Sequence, residues 1–125
     1  MSLAYLASPY TRYRTGREGA FNDVAKIAAQ LIWSGVMVYC PIAHLHPIAL
    51  AGALDPLQIE LWYKHNELMM DRCNTLIVAH MAGWDKSDGI VHEINYFLAM
   101  NKPIFDLNPH TLSMKRRIGS PVAAE

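Results

Sequence analysis

Four short apolar runs recur along the chain, and the stretches between them are long enough for helices. The first is Leu3-Ala4-Tyr5-Leu6-Ala7, stopped by Ser8-Pro9-Tyr10. Its length and the proline mark a buried strand. Phe21, Val24, Ala28, Leu31 and Ile32 then repeat at helical spacing, which predicts a helix from about Arg17 to Ser34, ended by Gly35. Val36 to Cys40 is the second strand, closed by Pro41. Ile42 to Asp55 holds His44, His46, Pro47 and Gly52 and reads as a long lid or binding loop. Asp55-Pro56 opens the next helix, with Asp as cap and Pro at the first position, running to about Arg72. Its Leu57, Leu61 and Leu68, widened by Ile59, Trp62, Met69 and Met70, make an apolar surface broad enough for both core and a partner subunit.

The third strand, Thr75 to His80, enters a loop with Gly83, Trp84, Ser87, Asp88 and Gly89, and a helix follows from Gly89 to about Met100. Asn101-Lys102-Pro103 stops it before a fourth strand, Ile104 to Leu107. Thr111 to Arg117 is a short helical candidate, and the tail beyond Gly119 is expected to fray. Strand–helix alternation over 125 residues gives one domain. The expected fold is α/β, a three-layer Rossmann/flavodoxin-like parallel sheet of four to five strands with helices on both faces. In such a sheet the loops after strands one, two and three gather at one edge, where ligands bind.

Charge and composition narrow the function. Eleven basic residues balance eleven acidic ones, which argues against a nucleic-acid binder but leaves room for a small anionic ligand at a local cluster. Met1 to Ser8 is too short for a signal peptide, and no apolar stretch approaches a membrane span, so a cytoplasmic protein with no membrane partner is expected. Cys40 and Cys73 lie far apart without metal-ligand spacing and read as reduced, buried thiols.

The candidate chemistry sits in the three gathered loops. Glu93 falls in the first turn of its helix. It either complements the helix dipole or serves as a carboxylate nucleophile or base, kept ionised by the helix N-terminus. Ser87 or Asp88 caps that helix, or Ser87 and the backbone amides near Gly89 hold a phosphate or sugar hydroxyl. Arg12 and Arg14, with Arg17, form a solvated loop or clamp an anion. His44 and His46 are lid residues or ordinary loop histidines, and no further ligands support a metal site. Trp84 and Tyr10 stack on a nucleobase or simply pack. Asn66, Glu67 and Asp71 lie on the helix before the third strand, where they form a solvated acidic face or one of them contacts a sugar or protonates a leaving base.

The order of these motifs resembles the nucleoside 2'-deoxyribosyltransferase superfamily. Tyr5-Leu6-Ala7-Ser8-Pro9-Tyr10 resembles its opening strand and loop. Gly83-Trp84, Ser87, Gly89 and Glu93, followed by Ala99 and Lys102-Pro103, resemble its nucleophile segment. The similarity runs from about residue 4 to 106 and is greatest to a small uncharacterised branch related to deoxynucleoside 5'-monophosphate N-hydrolases. It implies a homodimer or larger assembly, no cofactor, and a nucleoside or nucleotide substrate. It implies that Glu93 attacks the anomeric carbon to form a glycosyl-enzyme. Ser87 is informative within that resemblance, since free-nucleoside transferases tend to carry Asp there. A serine leaves room for a phosphate dianion that a fixed carboxylate would repel, and Arg12 and Arg14 fit the same end. The expectation is therefore hydrolysis of a 5'-monophosphate, with Tyr5, Ser8, Tyr10, His44, His46, Trp84 and Asp88 around the substrate. The alternative is a nucleotide-binding or sensing module without turnover. The chain departs from the family at Asn74, where Asp is common. It departs also at the acid of the preceding helix, which falls near Asn66 or Glu67, and in a first loop that is not glycine-rich.

Overall fold

A computed structural model describes residues 2–118; the expectation of a frayed tail falls on residues 119–125, outside them. The elements are β1 (Ala4–Ala7), α1 (Gly16–Trp33), β2 (Val38–Tyr39), α2 (Pro41–Ala51), α3 (Ile59–Arg72), β3 (Thr75–Ala79), a 3-10 turn (Trp84–Lys86), α4 (Asp88–Ala99), β4 (Ile104–Leu107) and β5 (Met114–Arg116). The sheet order is β2-β1-β3-β4-β5. The first four strands are parallel, with Tyr5 beside Tyr39 and Leu76, and Leu76 beside Ile104. β5 is antiparallel on β4, with Asp106 opposite Lys115.

Period-two alternation splits the central strands between two cores. Leu6, Ile77, Ala79 and Leu107 face the α1 stripe of Ala20, Val24, Ile27 and Leu31, with α2 alongside. Tyr5, Ala7, Leu76, Val78 and Ile104 face Met70 of α3 and Ile90, Ile94 and Phe97 of α4. Both faces of the sheet are covered, so the central strands read as continuous apolar runs. Burying a side chain such as Phe97 contributes about 1.5–3 kcal/mol. Lys102 Nζ donates to the carbonyls of Met70, Asp71 and Cys73 at 3.2, 2.9 and 2.8 Å, closing the C-terminal end of α3. Asn74 ties β1 to the start of β3, its Oδ1 accepting from Leu3 N at 2.7 Å and its own N donating to Leu3 O at 2.8 Å.

Four expectations about elements are corrected. The lid between Ile42 and Asp55 is mostly the helix α2, which carries Pro47 within it. Asp55 does not cap α3; its Oδ1 accepts from Leu57 N in a preceding turn, and the helix begins at Ile59. The helical candidate Thr111–Arg117 contains the strand β5, because pairing with β4 satisfies its backbone. The second strand is also shorter than the span Val36–Cys40, keeping only Val38–Tyr39. Cys40 and Cys73 are buried and free, and burial pushes each thiol up to about 11.

Candidate active site

Strand order reverses between β1 and β3, and a cavity of about 390 Å³ opens beyond their carboxyl ends. One side is Ser8 to Arg12 from the loop after β1. The facing side is Ala82, Gly83 and Lys86 to Gly89, then His92 and Glu93 of α4. The roof is apolar and aromatic: Pro41, Ile42, Leu45 and Ala49 from α2, and Leu57, Trp62 and Tyr63 around the start of α3, with Asn66 beside them.

Glu93 is the one buried carboxylate among the described residues, with 8% of its surface exposed. Asp88 is the first residue of α4, so Glu93 is the sixth and lies in the second turn, not the first. The helix-dipole effect fades within the first turn. Burial therefore dominates and pushes the carboxyl up to about 8, with the Tyr5 hydroxyl pulling the other way. The expectation that the helix start keeps Glu93 ionised is corrected accordingly: in the free cavity it is largely protonated at neutral pH. Tyr5 lies behind the cavity wall, fully buried, and its hydroxyl makes no hydrogen bond of good geometry although it stands near Glu93. Burial first and Glu93 second raise the Tyr5 phenol far above its ordinary value.

Ser87 caps α4, its Oγ accepting from Ile90 N at 3.3 Å. That bond uses a lone pair and leaves the hydroxyl proton for a ligand oxygen. Gly83, at φ +85, adopts the left-handed backbone that turns the chain into the 3-10 segment. Arg12 and Lys86 supply positive charge at the mouth, and Arg12 Nη2 lies 3.7 Å from Asp88 Oδ2. Both partners are exposed, so this pair contributes little stability and yields readily to a competing anion. Ser8, Asn66 and His92 line the cavity, but Ser8 Oγ, Asn66 Oδ1 and His92 Nε2 are covered by protein and make no hydrogen bond of good geometry, His92 Nε2 facing Glu67. Each such atom costs about 1–3 kcal/mol unless something pairs with it.

The structure brings together Ser8, Tyr10, Arg12, His46, Asn66, Ser87, Asp88, Gly89 and Glu93. It separates the others. Arg14 is exposed and absent from the cavity wall. His44 sits between Tyr39 and His65, with ring centroids 5.7 and 5.6 Å away, rather than in the cavity. Trp84 is no base platform: it stacks on His80 at 3.9 Å, with Arg117 over its ring, and Arg117 and His80 both bind Asp106. Glu67 lies off the cavity wall, its Oε2 3.2 Å from His92 Nε2 in poor hydrogen-bond geometry. Asp71 is exposed and accepts from Tyr96 Oη at 2.8 Å, so it handles neither sugar nor base.

The sequence reading missed the roof and three polar wall residues, Thr11, Lys86 and His92. The apolar run Pro41-Ile42 and Leu45 held the signal for the roof, and Lys86 adjoined Ser87. It also missed Glu18, which reaches His46 from 28 positions away.

A family model, the domain of unknown function DUF1937, matches residues 2–108, and no curated protein matches the chain.

Proposed function

The chain belongs to the DUF1937 family, and we propose from its site that it cleaves the N-glycosidic bond of a deoxynucleoside 5'-monophosphate. The observation that carries this reading is Glu93, a lone buried carboxylate on the wall of a nucleotide-sized cavity at the strand crossover. The aromatic and apolar roof around Trp62 suits a flat heterocycle, while Ser87, Arg12 and Lys86 suit a phosphate. In the reaction, a Glu93 carboxylate oxygen bonds to the anomeric carbon and the electron pair of the carbon–nitrogen bond leaves with the base. Water then attacks the same carbon, Glu93 departs, and sugar phosphate is released. Hydrolysis is favoured over transfer. The protein works without a cofactor, in the cytoplasm. Among the described residues no helix is long and apolar enough to cross a membrane. Exposed Leu50, Leu57, Leu61 and Leu68 around α2 and α3 support a homodimer or larger assembly.

The test is free-base release from a panel of deoxynucleosides and their 5'-monophosphates, with Glu93→Gln alongside. Release from the monophosphates that the variant abolishes supports the reading; no release from any member, or equal release by the variant, ends it. A second reading is a nucleotide-binding module without turnover. It draws on the largely protonated Glu93 and on the cavity wall carrying Asn66, an amide, where the resemblance places an acid near Asn66 or Glu67. Nucleotide binding by the parent and by Glu93→Gln, with no base released, selects it.

A further inference from the structure

Cleaving a carbon–nitrogen bond to an ordinary base needs a proton for the departing nitrogen, and Glu93, as the attacking group, does not provide it. Asn66 does not titrate, and Asp88 stands exposed against Arg12. His92 is stacked face to face on Tyr63 at 4.0 Å, with Nε2 turned towards Glu67. Lys86 is exposed at the mouth and Tyr63 is the ring on which His92 stacks, so one hydrogen-bonded chain of titratable groups stands out on the wall. His46 is 6% exposed and clamped at both ring nitrogens: Nε2 is 2.7 Å from Glu18 Oε2, and Nδ1 is 2.7 Å from Tyr10 Oη. The ring lies on Phe21 at 4.8 Å, which fixes its plane. Glu18 is mostly exposed, so the far end of the chain meets solvent, while Tyr10 and His46 meet the cavity.

This arrangement has two proton positions with little change in geometry. With neutral His46, Nε2–H donates to Glu18 and Tyr10 O–H donates to Nδ1. With protonated His46 both nitrogens donate, Tyr10 Oη accepts, and the phenol proton is free to turn into the cavity. We propose that Tyr10 is the proton donor to the leaving base, resupplied by His46, with Glu18 holding the imidazole in place. The proposal rests on the N-glycosidase reading. In the first step the phenol proton passes to the base nitrogen as the bond to the anomeric carbon breaks, and His46 Nδ1–H replaces it. In the second step the attacking water gives its proton to Tyr10, which passes one back to His46, so the relay ends as it began.

The experiment exploits a leaving group that needs no proton. An N7-methylated guanine carries a positive charge in the nucleotide and departs neutral, whereas ordinary guanine requires protonation. Single-turnover base release is measured on both deoxynucleoside 5'-monophosphates. If the parent accepts only pyrimidines, uracil and the more acidic 5-fluorouracil form the pair. Tyr10→Phe keeps the ring and removes the hydroxyl. It should slow release of the ordinary base by about 10²–10⁴-fold and leave the activated base nearly unchanged. His46→Gln and Glu18→Gln should show the same contrast more weakly. Equal losses on both substrates would assign the trio a structural role and overturn the proposal, as would no loss on either. The contrast appearing in His92→Asn instead would move the donor to His92. A parent that releases no base at all ends the glycosidase reading and the relay together; an active parent with an unaffected Tyr10→Phe ends the relay alone.

Discussion

Replacing Glu93 with glutamine should change how folding stability depends on pH. The folded carboxyl titrates at about 8 against an ordinary value of 4.5, chiefly because burial removes its solvation. Between those values the native state keeps a proton that the unfolded chain has released. Stability therefore falls as pH rises through that window, and the loss is complete above the folded value. A difference of this size corresponds to a ceiling of roughly 5 kcal/mol, and water reaching the carboxylate through the open cavity reduces it. We expect about half, roughly 2–3 kcal/mol, to appear. The assay is urea unfolding of parent and Glu93→Gln at about pH 5, 7 and 9, fitted by linear extrapolation. Other titrating groups are common to both proteins, so the difference between the two profiles isolates Glu93. The variant should gain on the parent steadily with pH. Parallel profiles, or a parent that gains on the variant as pH rises, would refute the idea that burial controls this carboxyl.

Two further outcomes follow. If Glu93 attacks as a carboxylate, kcat/KM for release of the N7-methylated base, which needs no proton from the relay, should climb with pH and level off above about 8, since this ratio reports ionisation of the free enzyme; a profile flat from about pH 6 to 9 would count against Glu93 as nucleophile. Lys102→Met removes the ammonium that closes α3 on three carbonyls and should cost about 1.5–3 kcal/mol in urea unfolding, with a loss under about 0.5 kcal/mol assigning those bonds to the surface class.

The order of elements was legible because the four apolar runs are spaced by helix-length stretches, and both faces of the sheet are buried. The site's floor was legible for the same reason: Ser8, Tyr10, Ser87 and Glu93 follow directly from strand ends. The roof was not. α2 combines His44, His46 and Pro47, which read as loop residues, and apolar side chains on most sides of the helix erase the amphipathic period. β5 has no apolar alternation, since all three of its residues are exposed, and only its pairing with β4 makes it a strand. Trp84 showed an aromatic ring in a loop but not that His80, Asp106 and Arg117 would claim it from the other side. The state of Glu93 turned on where its helix begins. Burial also opposes the dipole there, and the number of atoms covering a side chain is a property of the assembled fold.

The ends of the sheet bear on how copies of the protein could associate. An open edge with unpaired amides and carbonyls can recruit a strand from another molecule. Here one edge is β2, only two residues long, and the other is β5, three residues with Lys115 and Arg116 exposed. Neither offers a long, flat, apolar template. Joining two sheets end to end is thereby disfavoured, and so is fibre growth by strand addition. Helix surfaces such as those carrying exposed Leu50, Leu61 and Leu68 offer a different kind of contact, where apolar side chains meet without a shared hydrogen-bond ladder to propagate.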